Sequence, residues 1–172
     1  TKKLARELSD NGWVVISGLA EGCDALAHEG ALAGKSQTWA FLGCGVDQIY
    51  PPSNRALRDQ IIQRGWLFSE YPFGTRVAQD FLRKRNNLIA GAASAVVIIQ
   101  TALDGGTMNT AKSALAQRRP LFCFIPPTMD LAFSGNRHLL VENPPQPLDS
   151  DKAFYQLMAA IGRREGEGTA LA

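Results

Sequence analysis

Ala95-Val-Val-Ile-Ile99, with the stretch that follows it, Gln100-Thr-Ala-Leu-Asp-Gly-Gly-Thr-Met-Asn-Thr-Ala-Lys112, decides the fold. The first run is the most apolar short run in the chain and reads as a strand buried on both faces. The second ends in a helical pattern at Ala111, Ala114 and Leu115. A strand, a glycine loop and a helix start therefore meet here. Gly105 and Gly106 let backbone approach a ligand closely. Thr107 is placed to cap a helix whose first N–H groups favour an anion. The same residues also suit an ordinary strand-to-helix turn, because a glycine pair is a weak signal.

Outward from this stretch the same alternation repeats. Lys2 to Asn11 carries Leu4, Ala5 and Leu8 at helical spacing and stops at Gly12. Trp13 to Ile16 reads as a strand, Ser17 to Asp24 as a loop with Asp24 as an N-cap, and Ala25 to Ala33 as a helix. Thr38 to Leu42 is the next strand and Gly43 to Pro52 its loop. Ser53 then caps a helix with Leu57, Ile61 and Ile62 inside and Arg55, Arg58, Asp59 and Arg64 outside. Trp66 to Glu70 is a strand, and Tyr71 to Arg76 leads into a helix over Ala78 to Ala93. The helix after the opening loop runs to Arg119, and Pro120 to Ile125 is a further strand. Ser134 to Leu140 begins a short helix, Asn143 to Pro147 reads as a proline-rich connector, and Ser150 to Ile161 is the last helix.

Alternating strands and helices with near-continuous apolar strands predict an α/β fold: a doubly wound, Rossmann-like, mainly parallel sheet with helices on both faces. Residues 1–162 are expected to form one domain and residues 163–172 a disordered tail. In such folds ligands bind outside the C-terminal ends of the strands. The loops there hold Ser17, Gly18, Gly22, Gly43, Gly45, Gly105, Gly106 and Thr107 as candidate phosphate-binding positions. Their spacing is not G-x-G-x-x-G, so a dinucleotide is not expected.

Composition narrows the function further. Hydrophobic residues make up 45% and charged residues 20%, as in a soluble globular domain. No apolar run is long enough for a membrane span. Net charge is +2, so nucleic-acid binding requires a local basic cluster. Cys23, Cys44 and Cys123 form no C-x-x-C pair, and no histidine stands at metal-ligand spacing. Reduced thiols in a cytoplasmic protein, with Cys123 in the core, are the expectation. Cys44, between two glycines, is a candidate for exposure.

Several motifs then resemble the signatures of the DprA/Smf DNA-processing family. They are Ser17-Gly-Leu-Ala-x-Gly-x-Asp-x-x-Ala-His28, Leu42-Gly-Cys-Gly-Val-Asp-x-Ile-Tyr-Pro-Pro-x-Asn-Arg55, Ser69-Glu-Tyr-Pro-x-Gly-Thr75, the run from Phe81 through Arg85-Asn86 to Ile89-Ala-Gly91, and Gly135-Asn-x-x-Leu139. The resemblance covers roughly Val14 to Ile161. It implies a Rossmann-like domain that binds single-stranded DNA with little regard to sequence, works as a homodimer, and loads a RecA-type recombinase during natural transformation. It implies no reaction and no cofactor. The family pattern also places a strand ending in Gly-Ser-Arg before the position of Thr1. This chain departs from the pattern at Glu21, where a basic residue is usual, and at Asp104 to Asn109, where Arg-Ser-Gly is usual.

Single strands need cations for phosphates and aromatic faces for bases. Arg83, Lys84, Arg85, Asn86 and Phe81 are therefore the leading nucleic-acid candidates, with Arg76, Asn54 and Arg55 extending the track. A basic triplet also suits a solvated helix face. Tyr50, Tyr71 and Phe73 can stack bases or pack under prolines. For catalysis the pattern offers little: His28 reads as a packed histidine, and no metal site or catalytic residue is expected. A second reading draws on Asp104-Gly-Gly-Thr-Met-Asn109, which drifts toward the loop of LOG-like nucleoside-phosphate hydrolases but lacks its third glycine and its glutamate.

Overall fold

The computed structural model describes residues 1–142, 144–161 and 170–171. The chain alternates α1 (Lys2–Asp10), β1 (Val14–Ser17), α2 (Cys23–Leu32), β2 (Thr38–Phe41), a 3-10 turn at Pro52–Asn54, α3 (Arg55–Arg64), β3 (Trp66–Phe68), α4 (Gln79–Ala92), β4 (Val96–Ile98), α5 (Thr107–Ala116) and β5 (Leu121–Phe124). After a 3-10 turn at Leu131–Phe133 come α6 (Ser134–Glu142), β6 (Gln146–Leu148), α7 (Ala153–Ile161) and β7 (Ala170–Leu171). Every strand pairing is parallel, in two half-sheets of order β3-β2-β1-β7 and β4-β5-β6. Residues of both half-sheets, Val15 and Ile16 with Val97 and Ile99, line a small cavity of about 100 Å³.

Strand periodicity of two sorts the core into two layers. Val15, Val97, Phe122 and Phe124 face Leu4, Ala5 and Leu8 of α1 and Leu157 of α7. Ala40 joins that side with Leu57 and Ile61 of α3. On the other side Val96, Ile98, Leu121 and Cys123 pack on Ala90, Met108, Ala111 and Leu139 of α4, α5 and α6. Ile16 and Phe41 meet Ile89 there. The doubly wound, two-faced α/β fold is thus present.

Local details differ from the sequence expectations. Ile62 is 51% exposed rather than inward, because only Leu57 and Ile61 of α3 fall on the core stripe. Gln146–Leu148 is a strand, not a connector: Pro147 is tolerated because β6 is the outer strand of its half-sheet. Cys44 is buried. Three expected side-chain caps are replaced. Gly22, Asn54 and Gly106 precede α2, α3 and α5, and none of these helix starts carries a side-chain cap. Asp24 and Thr107 lie inside the first turns, and the Ser53 hydroxyl donates to Glu21 instead. The tail expectation falls mostly on residues outside those described. Of the described pair, Ala170 and Leu171 run parallel to Val14 and Val15.

Candidate nucleic-acid interface

The C-terminal ends of β1 and β4 open into a cleft of about 600 Å³. Ser17, Gly22, Cys23 and Asp24 form one wall, and Arg83, Arg85 and Asn86 of α4 another. Gln100, Thr101, Gly105, Gly106 and Thr107 complete it. The starts of α2 and α5 both border this cleft. Their leading N–H groups have no side-chain cap, so both carry partial positive charge toward one space. A Cβ at Gly106 would meet nothing within 4 Å, so its backbone borders open space. Gly22 adopts φ +82, a conformation that disfavours any side chain.

Polar side chains hold these loops. The Asp24 carboxylate accepts from Gly18 N and Ala20 N, both at 3.2 Å. Asn54 Nδ2 donates to the carbonyls of Leu19 and Ala20, at 2.9 and 3.2 Å. Asn136 is fully buried: its Oδ1 accepts from Thr101 N at 2.7 Å, and its Nδ2 donates to Ile99 O and Phe124 O. Each satisfies backbone groups that strand ends leave unpaired.

Arg85 is the centre of this network. It is only 5% exposed, yet it lines the cleft. Nη1 donates to Gly18 O at 2.5 Å and Phe41 O at 2.6 Å, and Nε donates to Asn86 Oδ1 at 3.0 Å. Asn86 Nδ2 in turn donates to Gly106 O, tying α4 to the opening loop. Nη2 has no partner among the described residues, and neither does the guanidinium have an ion pair. Burial pulls the Arg85 pKa down, while the charge of Asp24 across the loop holds it up.

The candidate residues therefore separate. Ser17, Gly22, Arg83, Arg85, Asn86, Gly105, Gly106 and Thr107 come together in the cleft. Gly18 and Gly43 line a neighbouring cavity that also reaches Arg85. Gly18 serves packing: a Cβ there would overlap the Arg85 guanidinium. Gly45 is equally tight against Pro72 O and Asp47. Phe81 stacks on Tyr71 at 4.2 Å, whereas Tyr50 and Phe73 are exposed. Arg55, Arg76 and Lys84 are exposed and outside the cleft lining, and Asn54 is engaged by backbone. Gln100, Thr101 and Cys23 join the lining without having been singled out; their position at strand ends was the available signal.

His28 is fully buried, as a packed histidine would be. Thr38 Oγ1 donates to Val15 O, so it must accept from Nδ1–H of His28 at 2.7 Å. Nε2 is then a bare acceptor with no partner among the described residues. Burial lowers the His28 pKa to about 4. Burial likewise raises the Cys44 thiol, and raises Cys123 to about 11. Among the described residues no cluster of His, Cys, Asp and Glu could hold a metal ion, and no helix is long and apolar enough to cross a membrane.

A parallel Rossmann-like sheet with two helix starts that carry no side-chain cap, and a buried guanidinium without an ion pair among the described residues at its strand ends, is an arrangement suited to phosphate-bearing ligands. Residues 1–158 match the family of DNA recombination-mediator protein A, and the chain belongs to that family. It is 36% identical over 162 residues to Protein Smf of Synechocystis sp., covering 94% of this chain and 40% of that protein. It is 29% identical over 153 residues to DNA processing protein DprA of Bacillus subtilis, covering 89% of this chain and 51% of that one. The chain thus spans about half or less of these relatives. The X-ray structure of DprA from Streptococcus pneumoniae superposes with a TM-score of 0.84 at 27% identity, over 95% of this chain and 56% of that one. DNA processing protein A from Helicobacter pylori, solved for its single-stranded DNA binding mode, gives 0.83 at 31% identity, over 92% of this chain and 72% of that one.

Proposed function

We propose that this cleft binds single-stranded DNA through its phosphates, and that the chain acts as a recombination mediator by binding rather than by turnover. The observation that carries the reading is Arg85. A guanidinium that is 5% exposed and, among the described residues, has no ion pair and one unpartnered nitrogen at the cleft calls for an anion. The two uncapped helix starts favour the same charge. Arg83 and Asn86 border the site; Arg76, Lys84 and Arg55, exposed and without ion pairs among the described residues, extend the positive track. Exposed Tyr50 and Phe73 offer stacking faces. Family membership supports the partners that complete this proposal: a RecA-type recombinase, a second copy of the chain, and a cytoplasmic setting in which DNA taken up during transformation is protected. The relatives found do not favour a nucleoside-phosphate hydrolase.

The test is fluorescence anisotropy with an oligothymidine strand at low and moderate salt. Binding should weaken linearly on a log–log salt plot, at about 0.7 per phosphate neutralised. Absence of binding at low salt, with nucleoside monophosphates raising the melting temperature instead, would overturn the proposal.

A further inference from the structure

Beside the cleft lies a second cavity of about 200 Å³ that the phosphate reading leaves unused. Arg85, Leu82, Ala20 and Glu21 border both spaces, so the two adjoin. The cavity's walls are apolar at Leu42, Val77 and Leu82, and Tyr50 and Pro51 also line it. Tyr50 is 44% exposed, an aromatic surface beside the opening. Glu21, which borders both spaces, brings a carboxylate to this otherwise mainly apolar lining. Its Oε1 accepts from the Ser53 hydroxyl at 2.5 Å, and its Oε2 has no partner among the described residues.

We infer that this cavity takes an unstacked nucleobase from the bound strand and that Glu21 selects bases bearing an exocyclic amino group. The inference rests on the reading of the cleft as a single-strand site. A mainly apolar cavity with Tyr50 in its wall, next to a phosphate receptor, suits a base whose sugar-phosphate sits at Arg85. Oε2 can only accept, so the occupant must donate. Cytosine, adenine and guanine present an amino group there. Uracil and thymine offer only N3–H, flanked by two carbonyl oxygens that face the carboxylate as acceptor against acceptor. The acidic residue thereby adds a modest base preference to a site whose affinity otherwise comes from phosphates.

The experiment compares oligo(deoxycytidine) with oligo(deoxyuridine) of equal length, which differ in the acceptor–donor edge but not in the methyl group. Anisotropy should show the cytidine strand bound about three- to ten-fold more tightly, the range of one net hydrogen bond. Glu21→Ala, at an exposed position where folding is not at risk, should bring the ratio to one while leaving uridine affinity equal or higher. Equal binding of both strands by the native chain overturns the inference and leaves the cleft reading standing. So does a Glu21→Ala gain of the same factor for both strands, which would make Glu21 a repelling charge only. Failure of both strands to bind overturns the cleft reading itself.

Discussion

Arg85 joins stability to binding, so its removal should damage both, by amounts that can be worked out separately. In Arg85→Ala the carbonyls of Gly18 and Phe41 lose the donor they share, and Asn86 Oδ1 loses the Nε bond. A buried acceptor left without a donor costs about 1–3 kcal/mol. Water entering from the cleft recovers part of this, and the cost of burying the guanidinium disappears with it. The net destabilisation should be about 2–4 kcal/mol, a fall in Tm of about 5–15 °C for a domain of this size. Urea unfolding followed by circular dichroism measures it. The affinity effect is read well below that melting temperature. Loss of a charge-assisted bond to phosphate should weaken oligothymidine binding about ten-fold or more and lower the log–log salt slope by about 0.7. A variant within about 0.5 kcal/mol of the native stability would refute the clamp. An unchanged salt slope in a folded variant would refute the contact with phosphate.

Three further outcomes follow from the same geometry. Gly18→Ala should destabilise by about 1–3 kcal/mol, because its methyl would overlap the Arg85 guanidinium, whereas Gly106→Ala, with nothing within 4 Å, should leave thermal stability unchanged and affect binding alone. Since His28 is neutral in the fold with its pKa lowered to about 4 from an ordinary 6.5, stability is fully present above about pH 6.5. It is lost as pH falls through about 4, with up to ~3 kcal/mol at stake, and denaturant titrations of a His28→Gln variant should show a flatter slope in that window. With a thiol reagent, Cys23 at the cleft should react in the native chain and be shielded by oligonucleotide, while buried Cys44 and Cys123 react only on unfolding. Native reactivity at Cys123 would count against the packing described.

The layers of the fold were legible because apolar periodicity is a local signal: Ala95 to Ile99 had to be a strand buried on two faces, and Val96–Ile98 is one. The errors lie where a side chain had a more distant option. Asp24 and Ser53 each look like an N-cap from neighbouring residues alone. In the fold Asp24 reaches back to Gly18 and Ala20, and Ser53 reaches 32 residues away to Glu21. Gln146–Leu148 was hidden by Pro144 and Pro145 before it and by Pro147 within it, whose cost as a strand residue depends on which edge faces a neighbour. Arg85 shows the same limit at the site. Within the triplet Arg83-Lys-Arg85 the three cations are indistinguishable by charge, but helical rotation leaves Arg83 and Lys84 exposed and turns Arg85 inward.

That rotation also explains why the recognisable motifs have the residues they do. Four of them meet through backbone groups: Gly18 and Asp24 from the first, Phe41 just before the second and Asn54 within it, Arg85 and Asn86 from the fourth, Asn136 from the fifth. Their polar side chains chiefly satisfy carbonyl and N–H groups at the strand ends, and their glycines allow that close approach. Ligand-facing groups are what the network leaves over: the Arg85 Nη2, the backbone at Gly22 and Gly106, and two helix starts. On the proposed reading, a site built from leftover backbone donors and one clamped guanidinium would recognise phosphate without reading a base. Base preference in such a site has to come from a side chain outside the network's core, and Glu21, held only by Ser53 and bordering both cavities, is the position that can supply it.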